Sequence, residues 1–248
     1  MRSHQSLNPK YNGKFILSYG GGVNSFALLF LLLRRKRRLD EVIFADTGVE
    51  LPETYNHLKL VKKILHTRKI PFTVVKSKNG TLYDTCRRRK VIPSVFWRWS
   101  TRDYKITPIY SYYRSIALHI NQYLAICWDE VDRMKDSIVP SVTNLYPLVD
   151  EKLTRDDCIR IIKDEGFPVP AKSGCYFCPF NSSSRWEYIY RNHRDLFTKA
   201  RKLEESSKHF PKQRLSVFTL RQLAKRFQNG RDLPQIQAGN PCGAECLT

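Results

Sequence analysis

Short apolar runs alternate with longer amphipathic ones along the first part of this chain. Lys14 to Ser18, Glu41 to Ala45, Phe72 to Lys76 and Gln122 to Cys127 are brief, rich in β-branched or aromatic residues and bounded by polar or turn residues, as strands are. Between them, Ser25 to Arg37, Glu53 to Lys69 and Ile106 to His119 carry helical patterns. This alternation predicts an α/β fold, a doubly wound and mostly parallel Rossmann-like sheet covered by helices. The connection from Ser77 to Lys105 is long for such a fold and predicts a functional lid or substrate loop. Past residue 150 the strand pattern stops. Leu153 to Glu165 is predicted as a helix that opens on the capping box Thr154-x-x-Asp157 and closes at Gly166, with Pro168 beyond. A long amphipathic helix follows over Ser184 to Ser206, and Thr219-x-x-Gln222 caps a last short helix that Gly230 stops. The chain thus divides into a nucleotide-binding α/β domain over 1–150 and a small helical, cysteine-containing part with a basic surface over 151–248.

Charge changes the picture of the surface. The 248 residues carry 43 Lys and Arg against 23 Asp and Glu, a formal net charge of +20, which points to an extended polyanion as partner. Basic residues cluster at Arg34 to Arg38 and at Arg87-Arg88-Arg89-Lys90, and the second cluster leads into Phe96-Trp97-Arg98-Trp99. Cations neutralise phosphates and exposed rings stack on unpaired bases, so this mixture predicts nucleic acid, either tRNA or locally opened DNA. Plainer readings stand beside it: Arg34 to Arg38 ends a helix, where cations favour the dipole, and the tryptophans belong to the core. The longest apolar run, Phe26 to Leu33, is too short to cross a bilayer, and Met1 to Asn12 has no apolar core. A cytoplasmic protein with no membrane partner is expected. Seven cysteines in a reducing compartment favour metal, cluster or redox chemistry over a disulfide framework.

The candidate chemistry starts at Ser18-Tyr19-Gly20-Gly21-Gly22-Val23-Asn24-Ser25, between the first strand and the first helix. Consecutive glycines let backbone N–H groups approach an anion, and the helix N-terminus adds its partial positive charge, so the segment predicts a phosphate cradle. It lacks the spacing of a Walker loop and of a dinucleotide fingerprint. The alternative is a tight turn that uses glycine for geometry alone. Other candidates fall at strand ends, where an open parallel sheet places its ligand. They are Asp46 and Thr47 after the second strand, Arg102 and Lys105 in the Ser100 to Ile109 segment, and Asp129 with Glu130 and Asp132 after the fourth. Each alone is equally a solvated charged loop.

Together and in this order, the glycine loop, IFADTGVELPETY, TRDYKITPI, DEVDRMKDS, NLYPLVD and SGCYFCPF resemble the phosphoadenosine-phosphosulfate reductase-like branch of the PP-loop ATP pyrophosphatases, within the adenine nucleotide α-hydrolase superfamily. The resemblance runs from Ser18 to about Trp186. It implies an adenine nucleotide α-hydrolase-like fold that holds ATP or an adenylyl-sulfate nucleotide through Ser18, Gly20, Gly21, Gly22, Asn24, Ser25, Asp46 and Thr47. It also implies Mg²⁺ at Asp46 or Asp129, and Lys14, Arg102 and Lys105 to offset developing phosphate charge. Two departures stand out. Asn24 occupies the loop's usual acidic position, and Ser100 stands where related sequences often carry a cysteine that would serve as a cluster ligand.

Cys175-x-x-Cys178-Pro179, with Cys158 upstream, has the spacing of an iron–sulfur or zinc centre. The fourth position falls to Cys86, Cys127, Cys242 or Cys246, or stays open; buried thiols are the plain alternative. In the tail, Glu245-Cys246 resembles the ending of sulfonucleotide reductases but lacks the following Gly and His. The functional expectation is an ATP-dependent, pyrophosphate-releasing enzyme for sulfur insertion into nucleic acid, supplied by a sulfur donor protein. A thiol-dependent sulfonucleotide reductase using Cys246, and a nucleic-acid-binding protein without turnover, are the alternatives.

Overall fold

The computed structural model describes residues 13–116 and 118–229. Five strands, β1 (Lys14–Ser18), β2 (Glu41–Asp46), β3 (Phe72–Lys76), β4 (Ile120–Tyr123) and β5 (Val142–Leu145), pair in parallel in the order β3-β2-β1-β4-β5. The chain winds outward from β1 in one direction and then, through β4, in the other, so the switch point lies between β1 and β4. The predicted fourth strand begins two residues earlier than expected, at Ile120, and its pairing ends at Tyr123. Leu124 to Cys127 stay buried, and Leu124 N–H still donates to Leu145 O at 2.9 Å. The fifth strand, Val-Thr-Asn-Leu, is too short and too polar to stand out in the sequence.

Alternation along the strands feeds two cores. Phe15, Leu17, Val42 and Phe44 face α1 (Val23–Arg34), α2 (Pro52–Thr67) and, further along the chain, α7 (Arg155–Asp164). Ile16, Ile43, Ala45 and Ile120 face the opposite layer, built on α5 (Thr107–Ile116). The helix α1 is apolar on all sides because it is covered on all sides, by the sheet and by α7. Since α7 packs on α1 and buries Cys158 and Ile162 in that core, the α/β layer extends past residue 150.

The expected Ser77–Lys105 loop is partly helical. Thr81 caps α3 (Leu82–Arg89) by accepting from Asp84 N–H at 3.2 Å, and Val91 to Arg98 stay irregular. A short turn, α4 (Trp99–Thr101), then runs through a π-turn (Arg102–Ile106) into α5. Pro108 cannot donate to Tyr104 and crowds its carbonyl, and the wide turn just before it relieves that conflict. α6 (Pro147–Asp150) follows β5.

The predicted helix over Ser184 to Ser206 divides into α8 (Ser183–Asn192) and α9 (Arg194–Glu205). His193 leaves helical geometry at φ −137° and ψ 60°, and its Nε2 lies 2.6 Å from Glu53 Oε1. These helices, α10 (Leu220–Gln228) and α3 enclose a third core around Trp186, Phe197 and Phe177. The capping boxes at Thr154 and Thr219 are both present, whereas Gly230 lies outside the described residues.

Candidate functional site

The glycine loop leaves the C-terminal end of β1 at the switch point. Gly21 has φ +78°, a conformation that side-chain-bearing residues seldom adopt, and a Cβ there would stand 3.2 Å from Thr54 Cγ2. A Cβ on Gly22 would meet Ser173 Oγ at 3.0 Å. Gly22 is the N-cap of α1 and supplies no side-chain cap. The first turn of the helix therefore opens on the loop with no cap from the side chain of its N-cap residue, in the arrangement that suits a phosphate. Ser25 Oγ donates back to Gly22 O at 3.1 Å and steadies the turn.

Asn24 has a specific environment. Its Nδ2 donates to Glu130 Oε2 at 3.4 Å and its Oδ1 accepts from Arg155 Nη1 at 3.1 Å. A carboxylate at this position would sit against Glu130, so the amide fits a site that already has an acid on the turn after β4. That turn (Trp128–Arg133) leaves Asp129 exposed and directs Glu130, paired with Arg133 at 2.7 Å, toward the loop.

The second wall is Asp46 to Glu50. Asp46 Oδ1 accepts from Gly48 N–H at 2.8 Å and from Tyr55 Oη at 2.9 Å, and Lys76 Nζ stands 3.5 Å from Oδ2. Asp46 shapes this turn with one oxygen and keeps the other near a cation. Glu50 lies deeper. Burial pushes its carboxyl above the ordinary range, against the pull of Lys105 and of bonds from Gly174 N–H at 2.8 Å and Thr47 Oγ1 at 3.3 Å. A short antiparallel bridge from Glu50 to Cys175, with Tyr176 N–H donating to Val49 O at 3.0 Å, brings the Lys172–Cys178 segment over the glycine loop.

That segment supplies cations. Arg185 donates to Lys172 O at 2.5 Å, and burial lowers the pKa of both Lys172 and Arg185. Lys105 lines one small cavity with Thr47, Ser100, Cys175 and Cys178. Burial raises both thiols. Arg102 points outward and pairs with Asp103 at 2.8 Å.

Two sequence expectations are corrected. Lys14 sits at the N-terminal end of β1, where Nζ meets Glu41 at 2.5 Å; the loop begins at the other end of the strand, about 13 Å away at ~3.3 Å per residue. Lys14 belongs to a buried cluster in which Glu41 also accepts from Thr73 and from Tyr112, the latter at 2.7 Å. Cys158 is fully buried in the α1–α7 core with its Sγ 3.5 Å from Cys127 Sγ, away from Cys175 and Cys178. Among the described residues no three His, Cys, Asp or Glu side chains converge to hold a metal, and Cys86 is buried in another core. Cys242 and Cys246 lie outside the described residues. Among the described residues the Cys175–Cys178 cavity offers two thiols and the hydroxyls of Thr47, Ser94, Ser100 and Thr101, a donor set that lacks the third thiolate an iron–sulfur cluster takes.

Glu50, Arg155, Lys172, Ser173 and Arg185 are site residues that sequence reasoning did not single out. Glu50 lies inside IFADTGVELPETY and Lys172-Ser173 opens into SGCYFCPF; Arg155 and Arg185 carry no local signal, because only the packing of α7 and α8 brings them in.

Residues 14–122 match the model of the phosphoadenosine phosphosulfate reductase domain. Among solved structures, the phosphoadenylyl-sulfate reductase of Candida auris in its phosphate complex aligns at 12% identity over 68% of this chain and 89% of its own, with a TM-score of 0.49. The U34-tRNA thiolase NcsA of Methanococcus maripaludis, solved with its [4Fe-4S] cluster, aligns at 15% identity over 86% of this chain and 80% of its own, with a TM-score of 0.52, a likeness of fold. No curated protein matches this chain. The matched segment runs from β1 into β4 and carries the glycine loop at the switch point of an all-parallel sheet: over residues 14–122 the chain is similar to the phosphoadenosine phosphosulfate reductase domain, and its fold is like that of the thiolase.

Proposed function

We propose that this protein binds Mg-ATP at the glycine loop, transfers the adenylyl group to an oxygen of a nucleic acid and releases pyrophosphate, activating that position for sulfur insertion. The observation that carries the reading is the α1 N-terminus, whose N-cap Gly22 supplies no side-chain cap, which opens on a loop where a Cβ at Gly21 would be strained and crowded, and which stands beside Arg155 and the Lys172–Cys178 segment. Transfer of this kind depends on positioning and on charge placed where the transition state needs it. The helix N–H groups and Ser18 to Ser25 hold phosphate oxygens, while Lys105, Lys172 and Arg185 offset their charge; Arg102 is a further cation at the rim. Magnesium enters as part of the substrate, since it keeps water and phosphate ligands and takes only one or two carboxylates, here Asp46 or Asp129.

The acceptor oxygen attacks the α-phosphorus, the bond to the β-phosphate bridge breaks and pyrophosphate departs. Sulfide-level sulfur from a donor protein then attacks the activated carbon, and AMP leaves with the original oxygen. The net charge of +20 supports a nucleic acid as acceptor, and the likeness to a U34-tRNA thiolase supports tRNA as its class.

Product analysis from ATP and Mg²⁺, with and without bulk tRNA, tests the reading. AMP and pyrophosphate are expected, with more of both when tRNA is present. ADP and orthophosphate would overturn it, and sulfite released from an adenylyl sulfate with thioredoxin would put a reductase in its place.

A further inference from the structure

We infer that the groove between the Ser94–Trp97 turn and the 209–217 segment binds an unpaired stretch of RNA and leads one nucleotide toward the Cys175–Cys178 cavity. The inference rests on the nucleic-acid part of the proposed function and names the surface that carries it. The groove measures about 690 Å³, inside the range of roughly 300–1,000 Å³ common for ligand sites. Its rim holds the most exposed apolar side chains of this region: Phe96 is 99% exposed, Trp97 56% and Val217 55%. Trp97 leans on the buried Trp99 with a ring-centroid distance of 6.4 Å and still keeps more than half its surface in solvent, and exposed π-faces suit base stacking.

Charge identifies the occupant. Lys212, Arg214 and His209 line the same groove, and Arg98 lies over the Phe180 ring at 5.3 Å. The exposed Arg87-Arg88-Arg89-Lys90 run joins this wall through Lys208 N–H, which donates to Lys90 O at 2.9 Å. Cations beside exposed rings form a track for phosphates with stacking platforms for bases. Two amide atoms on the walls, Asn181 Nδ2 and Gln213 Oε1, are buried without a hydrogen-bond partner among the described residues, a donor and an acceptor that a small adjustment would offer to a base edge. The walls are tied together in advance by Gln213 Nε2, which donates to Ile92 O at 3.0 Å, and the Ser94–Trp97 turn is itself closed by Trp97 N–H donating to Ser94 Oγ at 3.1 Å.

The groove also communicates with the chemistry. Ser94, Pro179 and Phe180 line both the groove and the cavity that holds Cys175, Cys178 and Lys105. Stacking on Phe96 requires a base face that a duplex hides. RNA loops present such faces continuously, whereas duplex DNA must first be opened at a cost.

The test is fluorescence anisotropy with a labelled, unstructured oligoribonucleotide at two salt concentrations. The same sequence is measured as an RNA duplex and as single-stranded DNA. The full-length protein is expected to prefer single-stranded RNA. Phe96→Ala with Trp97→Ala should weaken binding about tenfold or more, as loss of stacking does, with the salt dependence kept. Lys212→Ala with Arg214→Ala should instead flatten the salt dependence, by roughly 0.7 in log–log slope for each phosphate no longer neutralised. Phe96→Ala alone should leave the melting temperature unchanged, which separates binding from folding. If the aromatic variant binds RNA as the native protein does, the groove is not the site even though nucleic-acid binding stands. Tighter binding of duplex overturns the stacking argument, and tighter binding of single-stranded DNA overturns the assignment to RNA. Absence of any RNA binding at low salt removes the nucleic-acid part of the proposed function itself. Pyrophosphate release from ATP alone still reports on the glycine loop.

Discussion

Replacing Gly21 or Gly22 by alanine separates the backbone role of the loop from its role as a cradle. Gly21 has φ +78°, so a side chain there costs about 1–2 kcal/mol in backbone strain. Its Cβ also meets Thr54 Cγ2 at 3.2 Å, which must give by a few tenths of an ångström. The stiffer unfolded chain returns about 0.4–1 kcal/mol. The net loss is about 1 kcal/mol, which in a chain of this size lowers Tm by roughly 2–4 °C. Gly22 has φ −109°, ordinary for any residue, so Gly22→Ala should melt near the native temperature. Its Cβ nevertheless stands 3.0 Å from Ser173 Oγ and pushes that side chain into the cradle. Both variants should lose affinity for a non-hydrolysable ATP analogue in calorimetric titration, but only Gly21→Ala should lose stability by scanning calorimetry. Adding Ser173→Ala to Gly22→Ala removes the Oγ and leaves the nearest remaining neighbour at 3.9 Å, so the double variant should regain affinity. Native affinity in both single variants would refute the assignment of this loop to the nucleotide.

Three further predictions test the corrected roles. Burial alone would raise Glu41, but bonds from Lys14, Thr73 and Tyr112 outweigh it and hold the carboxyl below its ordinary value; the resulting stability is present at neutral pH and lost as pH falls through the lowered pKa. Lys14→Met should therefore cost about 1–3 kcal/mol at neutral pH, read by denaturant titration, because Lys14 is part-exposed and Thr73 and Tyr112 still donate to Glu41, while pyrophosphate release per folded molecule stays at the native level. Asn24→Asp should place a second carboxylate against Glu130 and lower stability at neutral pH by about 1–3 kcal/mol, a deficit that shrinks on acidification as one carboxyl takes up a proton; equal stability across pH would show that the two do not face each other. Cys175 and Cys178 should be alkylated at neutral pH at least about tenfold more slowly than a free cysteine, measured by peptide mass spectrometry, because burial keeps both thiols protonated.

The parts of this protein most legible in its sequence are those written in local periodicity. β1, α1, β2, α2 and β3 follow from runs whose neighbours agree with them, and both capping boxes announce their helices. Legibility falls where long-range packing decides. Nothing near His193 marks a helix break, because the break is fixed by Glu53, far away in sequence. Lys14 adjoins the loop-bearing strand in sequence, yet a strand separates its two ends in space, so proximity along the chain placed it wrongly. Cys158 illustrates the same limit. Its spacing to Cys175 suits a ligand set, but the side chain points from α7 into the α1 core and meets Cys127 instead. Ser100 is the counterexample, since it lines the cavity with Cys175 and Cys178, as the order of the motifs implies.

The charge balance of the site follows from burial more than from composition. Thiolates at Cys175 and Cys178 would offset the cations beside them, but desolvation keeps both neutral. Glu50 is pushed the same way, so the one acidic side chain deepest in the site is held toward its uncharged form. Lys172 and Arg185 are themselves partly desolvated, and burial lowers the pKa of both even though Glu53 and Glu50 pull that of Arg185 upward. Arg185 still keeps its charge at neutral pH, because guanidinium does not deprotonate in proteins. What remains is positive charge in a low-dielectric recess, next to helix N–H groups without a side-chain cap. A polyphosphate entering this recess meets cations already stripped of part of their hydration. Anion affinity here should therefore depend on Lys172 and Arg185 more steeply than on the exposed Arg102.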